Sequence, residues 1–401
     1  MVQSHTILRP EPLQDVPSQA TAALVEASNA FAMDLWRRIR RENEDLAVSP
    51  ASISMALAMV WAGARGKTAK ELARTLHLTR PKSIHEAAAA LLYDWNDPSR
   101  RACELRVVNR LFGERSYEFN EDFLRLVRDR YGAPLEQIDF RNTPEPSRAH
   151  INAWLEAQTA KRIRNLIPPG TVDDRTRLVL VNAVYFLGKW VQPFDKLATL
   201  EAPFYPAPGR SVPVSMMHQT EDFPYYDTGD LKILQMWYLG REFAMTVLLP
   251  SDVDGLAALE EQISTKKLDR WLAKLRMKSV SVALPKFTID PSQSIDLVPV
   301  LGEMGTRLAF DPNAADFTMI ANPPDPEDRL FLNHVRHKAL VKVDEKGTEA
   351  TAATATDLSM AAPMDLTAPK QFRADHPFLF LIRDIRSEMI LFVGRVAEPQ
   401  A

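Results

Sequence analysis

The apolar positions of this chain repeat with two different periods. Over residues 20–41 they recur every three to four positions, the spacing of a helix with one buried face. "SPASISMALAMVWAGA", from Ser49, opens a second helix that is apolar nearly all round and so reads as buried. Ser49 stands there as N-cap and Pro50 at the first helical position. Residues 67–78, 85–93, 120–131 and 148–163 read as further helices. "RLVLVNAVYFLG" (177–188) is a near-continuous apolar run, as in a central strand covered on both faces. "FAMTVLLP", "SVSVALPKFTI", "ALVKVDE", "FLFLIRDI" and "MILFVGRV" are strand-like. Helices come mostly first and strands mostly last, which argues for α+β rather than alternating βαβ units. There is no repeat and no linker, so 20–399 reads as one large domain behind a polar, Pro-rich arm (1–19) that reads as disordered. "ANPPDPED" (321–328) reads as a surface loop.

Composition narrows the function classes. The 401 residues are 46% hydrophobic and 25% charged, with a net charge of -3. That is globular composition, and its charge argues against a nucleic-acid partner. Cys103 is the only cysteine, so no intrachain disulfide can form, which fits a reducing compartment. The N-terminus lacks the apolar core of a signal peptide, so the expectation is a cytoplasmic protein or a secreted one whose signal has been removed. No apolar run approaches bilayer length, so no membrane partner is expected.

Catalytic signatures are missing. There is no G-x-S-x-G elbow, H-E-x-x-H, Walker loop, G-x-G-x-x-G or C-x-x-C. His334 and His337 at strand-like spacing would fall on opposite faces, and they read as core or hydrogen-bonding histidines rather than a metal site. Cys103 reads as a buried thiol more readily than as a nucleophile. The basic cluster in "AKRIRNLIPP" reads as a complement to a helix dipole. The expectation is no enzyme, no cofactor and no metal.

One segment stands apart: "DEKGTEATAATAT", residues 344–356. The connection 346–371 between two predicted strands has 26 residues, too long for a hairpin loop. With a period of two, Thr348, Ala350, Ala352, Thr354 and Thr356 share one small face. Glu349, Thr351, Ala353, Ala355 and Asp357 share the other. That pattern suits a strand able to slot between two others, and it also suits a flexible tether.

Six motifs in order decide between these. They are "SPASISMALAMVWAGARGKTAKEL" (49–72), "VNAVYFLGKWVQPFD" (181–195), "VALPKFTI" (282–289), "HKALVKVDEKGTEATAATA" (337–355), "FRADHPFLFLI" (372–382) and "LFVGRVAEP" (391–399). Together they resemble the serpins, a family of suicide protease inhibitors, over nearly the whole chain. The resemblance implies three sheets, eight or nine helices and an exposed reactive loop. It implies that a serine protease, with a cysteine protease as the other class, attacks the loop. The cut loop then enters the main sheet of a metastable monomer and traps the protease covalently. Residues 348–361 as an inserted strand would span roughly 46 Å, on the order of a domain diameter. The hinge would be Gly347, Thr348, Glu349, Ala350, Thr351, Ala352, Ala353 and Thr354. Ser49, Ser52, Asn182 and His337 match the polar cluster where the sheet opens. Lys286 and Glu345, with Trp190 nearby, match an ion pair at the top of that sheet. Asp45 stands where the family often has Asn at one end of the polar cluster, where a buried carboxylate would need donors. Family spacing puts the scissile bond at Ala361–Ala362, with Met360 the residue before the cut for a loop one residue shorter, and Leu366 by counting back from "FRADHPF". The neighbourhood "LSMAAPMDL" suits elastase-like or subtilisin-like proteases with small or apolar primary pockets. The other readings are a serpin used as carrier or chaperone without inhibition, and a hydrolase with an unrecognised nucleophile.

Overall fold

The computed structural model describes residues 18–41, 44–79, 83–97, 102–325, 328–348 and 368–400. Among them are nine α-helices: α1 Ser18–Ile39, α2 Pro50–Ala62, α3 Gly66–Thr75, α4 Ile84–Trp95, α5 Glu121–Tyr131, α6 Pro144–Gln158, α7 Leu256–Gln262, α8 Thr265–Leu272 and α9 Val298–Glu303. The strands are β1 Leu46–Val48, β2 Glu104–Glu114, β3 Leu135–Ile138, β4 Leu178–Lys189, β5 Leu200–Ala207, β6 Arg210–Asp227, β7 Leu231–Trp237, β8 Phe243–Pro250 and β9 Arg276–Pro285. They continue with β10 Phe287–Ile289, β11 Ile295–Asp296, β12 Arg336–His337, β13 Val341–Asp344, β14 Gly347–Thr348, β15 Lys370–Arg373, β16 Phe378–Asp384 and β17 Ile390–Val396.

Three sheets result. Nine strands run β1-β17-β16-β8-β7-β6-β9-β15, with β5 on β6; six run β10-β13-β14-β4-β2-β3; β11 pairs β12. This is the α+β architecture with three sheets that the resemblance implied. The order of elements is more mixed than the apolar pattern suggested, since β2, β3 and β4 lie among the helices. Among the strands of seven or more residues, β2, β5, β6 and β7 escaped the pattern. β6 carries Pro213 and Pro224, and β5 is an edge strand with Pro203, so neither reads as a Val/Ile run.

Local signals account for the helix ends. Ser49 caps α2 with its Oγ accepting from the Ser52 N–H, and Pro50 through Val60 are all buried, as expected for a helix apolar on every side. Asn120 caps α5 at one end, and Gly132 at φ 60° ends it at the other. α6 starts earlier and stops earlier than the expected 148–163. Pro144 opens it, and beyond Gln158 the backbone turns left-handed at Ala160 (φ 47°) and Lys161 (φ 63°).

Two cores flank the six-stranded sheet. The larger joins α1, α2 and α4 to the inner face of that sheet and to the nine-stranded sheet. The smaller packs Ile151 and Leu155 of α6 on Phe112, Ile138, Val181 and Ala183 of the outer face. β4 is thus covered on both sides, which explains its unbroken apolar run.

Candidate functional site

The site lies along the seam between β4 and β13. At its top, β13 turns through Glu345 and Lys346 and returns as β14. Thr348 pairs with Val343 and Gly347 with Asp344 on one side; Thr348 pairs with Gly188 and Gly347 with Lys189 on the other. Both strand neighbours of β14 are therefore antiparallel to it. Four residues deeper, Val184 bridges Ala339 directly, in parallel. The sheet is parted by one strand at its top and closed below.

Gly347 fits this entry for two reasons. Its φ is 152°, which disfavours any side chain, and a Cβ would collide with the Gly188 carbonyl oxygen and Lys189 Cα. Thr348 is 1% exposed, and its Oγ1 lies 2.6 Å from the Tyr238 hydroxyl. Tyr238 stacks on Trp190 with centroids 4.4 Å apart. Trp190 donates its Nε1–H to the Asp344 carbonyl and its backbone N–H to the Lys346 carbonyl. It grips the turn from which β14 departs.

Glu345 anchors the same turn. Lys286 Nζ lies 3.1 Å from its carboxylate, and Thr199 Oγ1 donates to it at 2.9 Å. The Phe194 N–H donates to its carbonyl. Burial pushes the Glu345 carboxyl up, but its own backbone N–H, Thr199 and Lys286 outweigh this and hold it below the usual range. Lys286, Glu345 and Trp190 thus meet at the top of the sheet.

The four polar residues expected at the opening also meet, under the closed part of the seam. The Ser49 N–H donates to His337 Nε2 at 3.1 Å, and Ser49 Oγ donates to the Leu391 carbonyl at 2.7 Å. Ser52 Oγ donates to Asn182 Oδ1. Asn182 Nδ2 in turn donates to Asn109 Oδ1 at 2.7 Å. All four expected members are buried, as is Asn109. The bonds run from the start of α2 to opposite sides of the seam: Ser52 holds β4 and Ser49 holds β12. Parting the strands therefore strains one or both. Because His337 Nε2 accepts a backbone N–H, its ring is neutral with the proton on Nδ1. Burial lowers its pKa to about 3.

Three readings change. Asp45 does not belong to this cluster: its Oδ1 accepts the N–H groups of Ala397 and Glu398, while burial keeps its pKa raised. The cluster in "AKRIRNLIPP" does not serve the α6 dipole, because α6 ends at Gln158. Instead Arg162 lies over the Tyr185 ring of β4 at 5.0 Å, and the Arg164 carbonyl lies 3.5 Å from Lys338 Nζ beside β12, so this segment straddles the seam. His334 lies outside any strand, so the opposite-face geometry does not arise. Cys103 is buried, with its Sγ 3.5 Å from the Leu239 carbonyl. Among the described residues no group of three His, Cys, Asp or Glu could hold a metal ion. Glu349, Ala350, Thr351, Ala352, Ala353, Thr354, Met360, Ala361, Ala362 and Leu366 lie outside the described residues. Tyr238 and Asn109 were not found by sequence reasoning; their partners are 110 and 73 residues away.

The family model "Serpin (serine protease inhibitor)" matches residues 26–399. The chain belongs to the serpin family. It is 39% identical to the leukocyte elastase inhibitor of Equus caballus, over 94% of this chain and 99% of that one. It is 38% identical to that of Homo sapiens over the same shares. Uncleaved ovalbumin is similar in structure, with a TM-score of 0.84 at 29% identity, covering 94% of this serpin and all of that chain. The family is one of protease inhibitors rather than catalysts, and the six motifs are those of this serpin.

Proposed function

We propose that this serpin is a suicide inhibitor of serine proteases with small or apolar primary specificity, of the elastase or subtilisin kind. The protease attacks the loop near Ala361–Ala362. Before the acyl-enzyme is hydrolysed, the cut loop enters the seam between β4 and β13 as a new strand and carries the tethered protease with it. The observation that supports this best is the seating of Gly347–Thr348 between those two strands. The first residues of the would-be strand already have antiparallel partners on both sides. The small face that begins at Thr348 continues through Ala350, Ala352, Thr354 and Thr356, so the later residues can follow into the same slot.

The energetics favour this direction. Each residue drawn in gains ladder bonds on both sides, and at a net of about 1 kcal/mol per bond a strand of this length gains tens of kcal/mol before entropy. Resistance comes from the Val184–Ala339 bridge and from the Ser49–His337 and Ser52–Asn182 bonds beneath it. The relatives named leukocyte elastase inhibitor agree with the small residues around Ala361.

The test is to mix the protein separately with pancreatic elastase, subtilisin, chymotrypsin and trypsin, and to run denaturing gels. A boiling-resistant covalent band with elastase or subtilisin is the expected result, and the mass of the released C-terminal peptide then gives the cut bond. Loop cleavage without such a band would move the reading to a carrier or chaperone.

A further inference from the structure

The Tyr238 hydroxyl is placed in an environment that offers it almost nothing. The side chain is fully buried. Its ring is stacked on Trp190 and meets the Phe186 ring edge-on at 4.8 Å. Phe186 in turn packs on Phe243. In this aromatic cage the hydroxyl makes one side-chain hydrogen bond among the described residues, to Thr348 Oγ1 at 2.6 Å. Thr348 is the second residue of β14 and the last described before the reactive loop. The two hydroxyls come from segments 110 residues apart, and each is the other's partner.

We propose that the Tyr238–Thr348 hydroxyl pair is a latch that keeps the root of the reactive loop seated in the sheet before any protease arrives, which makes Tyr238 a positioning residue for capture of the cut loop. The proposal rests on the loop-insertion reading above. Its physical content is a difference between two states. With β14 seated, both hydroxyls are paired and Gly347 and Thr348 have ladder partners on both sides. With β14 withdrawn, Thr348 reaches water, but the Tyr238 hydroxyl is left in its cage unpaired. An unpaired buried hydroxyl biases such an equilibrium about 5- to 150-fold toward the paired state. The consequence is kinetic. Once the loop is cut, entry of the strand competes with hydrolysis of the acyl-enzyme. A seated root means that entry proceeds from an existing two-residue strand rather than from a closed sheet.

The pair can be tested by a double-variant cycle of Tyr238→Phe, Thr348→Val and the two together, a set close in volume. Either single change strands one buried hydroxyl opposite a carbon; the double change removes both and leaves an apolar contact of nearly the same shape. Two readouts are needed. The first is hydrogen exchange of the free protein in peptides covering 341–348 and 186–190. Thr348→Val is expected to exchange faster there by up to the same 5- to 150-fold, Tyr238→Phe faster still because it strands the Thr348 hydroxyl in the seated state, and the double variant to fall back to about the Thr348→Val rate. The second is the partition of elastase-treated protein between covalent complex and cleaved, released inhibitor. Each single variant is expected to shift toward release, Tyr238→Phe the more, and the double variant to lose no more complex than Thr348→Val.

A role for Tyr238 as core filler alone gives the opposite pattern: single variants that exchange and partition like wild type, or a double variant that shows the sum of the two losses. Either result overturns the latch. Absence of a covalent complex in wild type itself overturns the insertion reading instead, and the exchange cycle alone then decides whether the latch exists.

Discussion

His337 makes the closed seam sensitive to acid, and the size of the effect follows from its surroundings. The ring is 1% exposed, and burial lowers its pKa from 6.5 to about 3. Its Nε2 accepts the Ser49 N–H. A His depressed in the folded state binds its proton more readily when unfolded. Its contribution to stability is therefore present above pH 6.5 and is lost as pH falls from 6.5 toward 3. At about 1.4 kcal/mol per pH unit, the loss at pH 5 is about 2 kcal/mol. That is a large share of the ~5–15 kcal/mol that holds a typical domain together. Protonation also removes the acceptor for Ser49, so the seam loses the bond that ties β12 to α2.

The perturbation is His337→Gln, whose amide oxygen can accept the same N–H without titrating. The assay is urea unfolding of wild type and variant at several pH values between 7.5 and 5, with β-sheet circular dichroism as the signal. Wild type is expected to lose about 2 kcal/mol more than the variant over that range. Parallel pH dependence of the two proteins would refute the reasoning, since the other titrating groups are common to both.

Further outcomes follow from the top of the sheet. Thr348→Arg places a guanidinium where the side chain is 1% exposed between two strands, so β14 is expected to leave its seat, and elastase to cleave the loop with little covalent band on denaturing gels. Gly347→Ala meets both a φ of 152° and the Gly188 carbonyl, and is expected to raise hydrogen exchange in peptides covering 341–348. Lys286→Met leaves the Glu345 carboxylate, 5% exposed, with Thr199 as its remaining side-chain donor; an unfolding midpoint lowered by the equivalent of about 1–3 kcal/mol is expected from calorimetry.

Much of this was legible in the sequence because it is written in local patterns. Ser49 and Pro50 announce the start of α2, and the unbroken run at 177–188 announces a strand covered on both sides. Alternating small residues from Thr348 suit a strand that could slot between two others and suit a tether as well, and beyond Thr348 they lie outside the described residues. The meeting of Ser49, Ser52, Asn182 and His337 was reached through the family resemblance, since no spacing links a helix start to a residue 288 positions away. What stayed hidden depends on contacts rather than on patterns. Tyr238 sits in an unremarkable "QMWYLG", and only the fold shows its hydroxyl turned toward Thr348. Asn109 is one polar residue in β2, whose alternation of Arg, Val, Asn and Leu resembles many surface segments. Asp45 looked like a flaw in the opening cluster because its true partners, the Ala397 and Glu398 N–H groups, lie at the far end of the chain. Arg162 and Arg164 looked like a helix terminus because the left-handed turn at Ala160 and Lys161 carries no glycine to mark it.

The most direct test of loop entry is the unfolding temperature of the protein before and after a single cut within residues 349–367, measured by calorimetry with the cut confirmed by mass spectrometry. If the freed strand fills the seam between β4 and β13, the cleaved protein is expected to unfold at a much higher temperature than the intact one, because every inserted residue adds ladder bonds on two sides. An unchanged or lower unfolding temperature after the cut would contradict entry of the loop into the sheet.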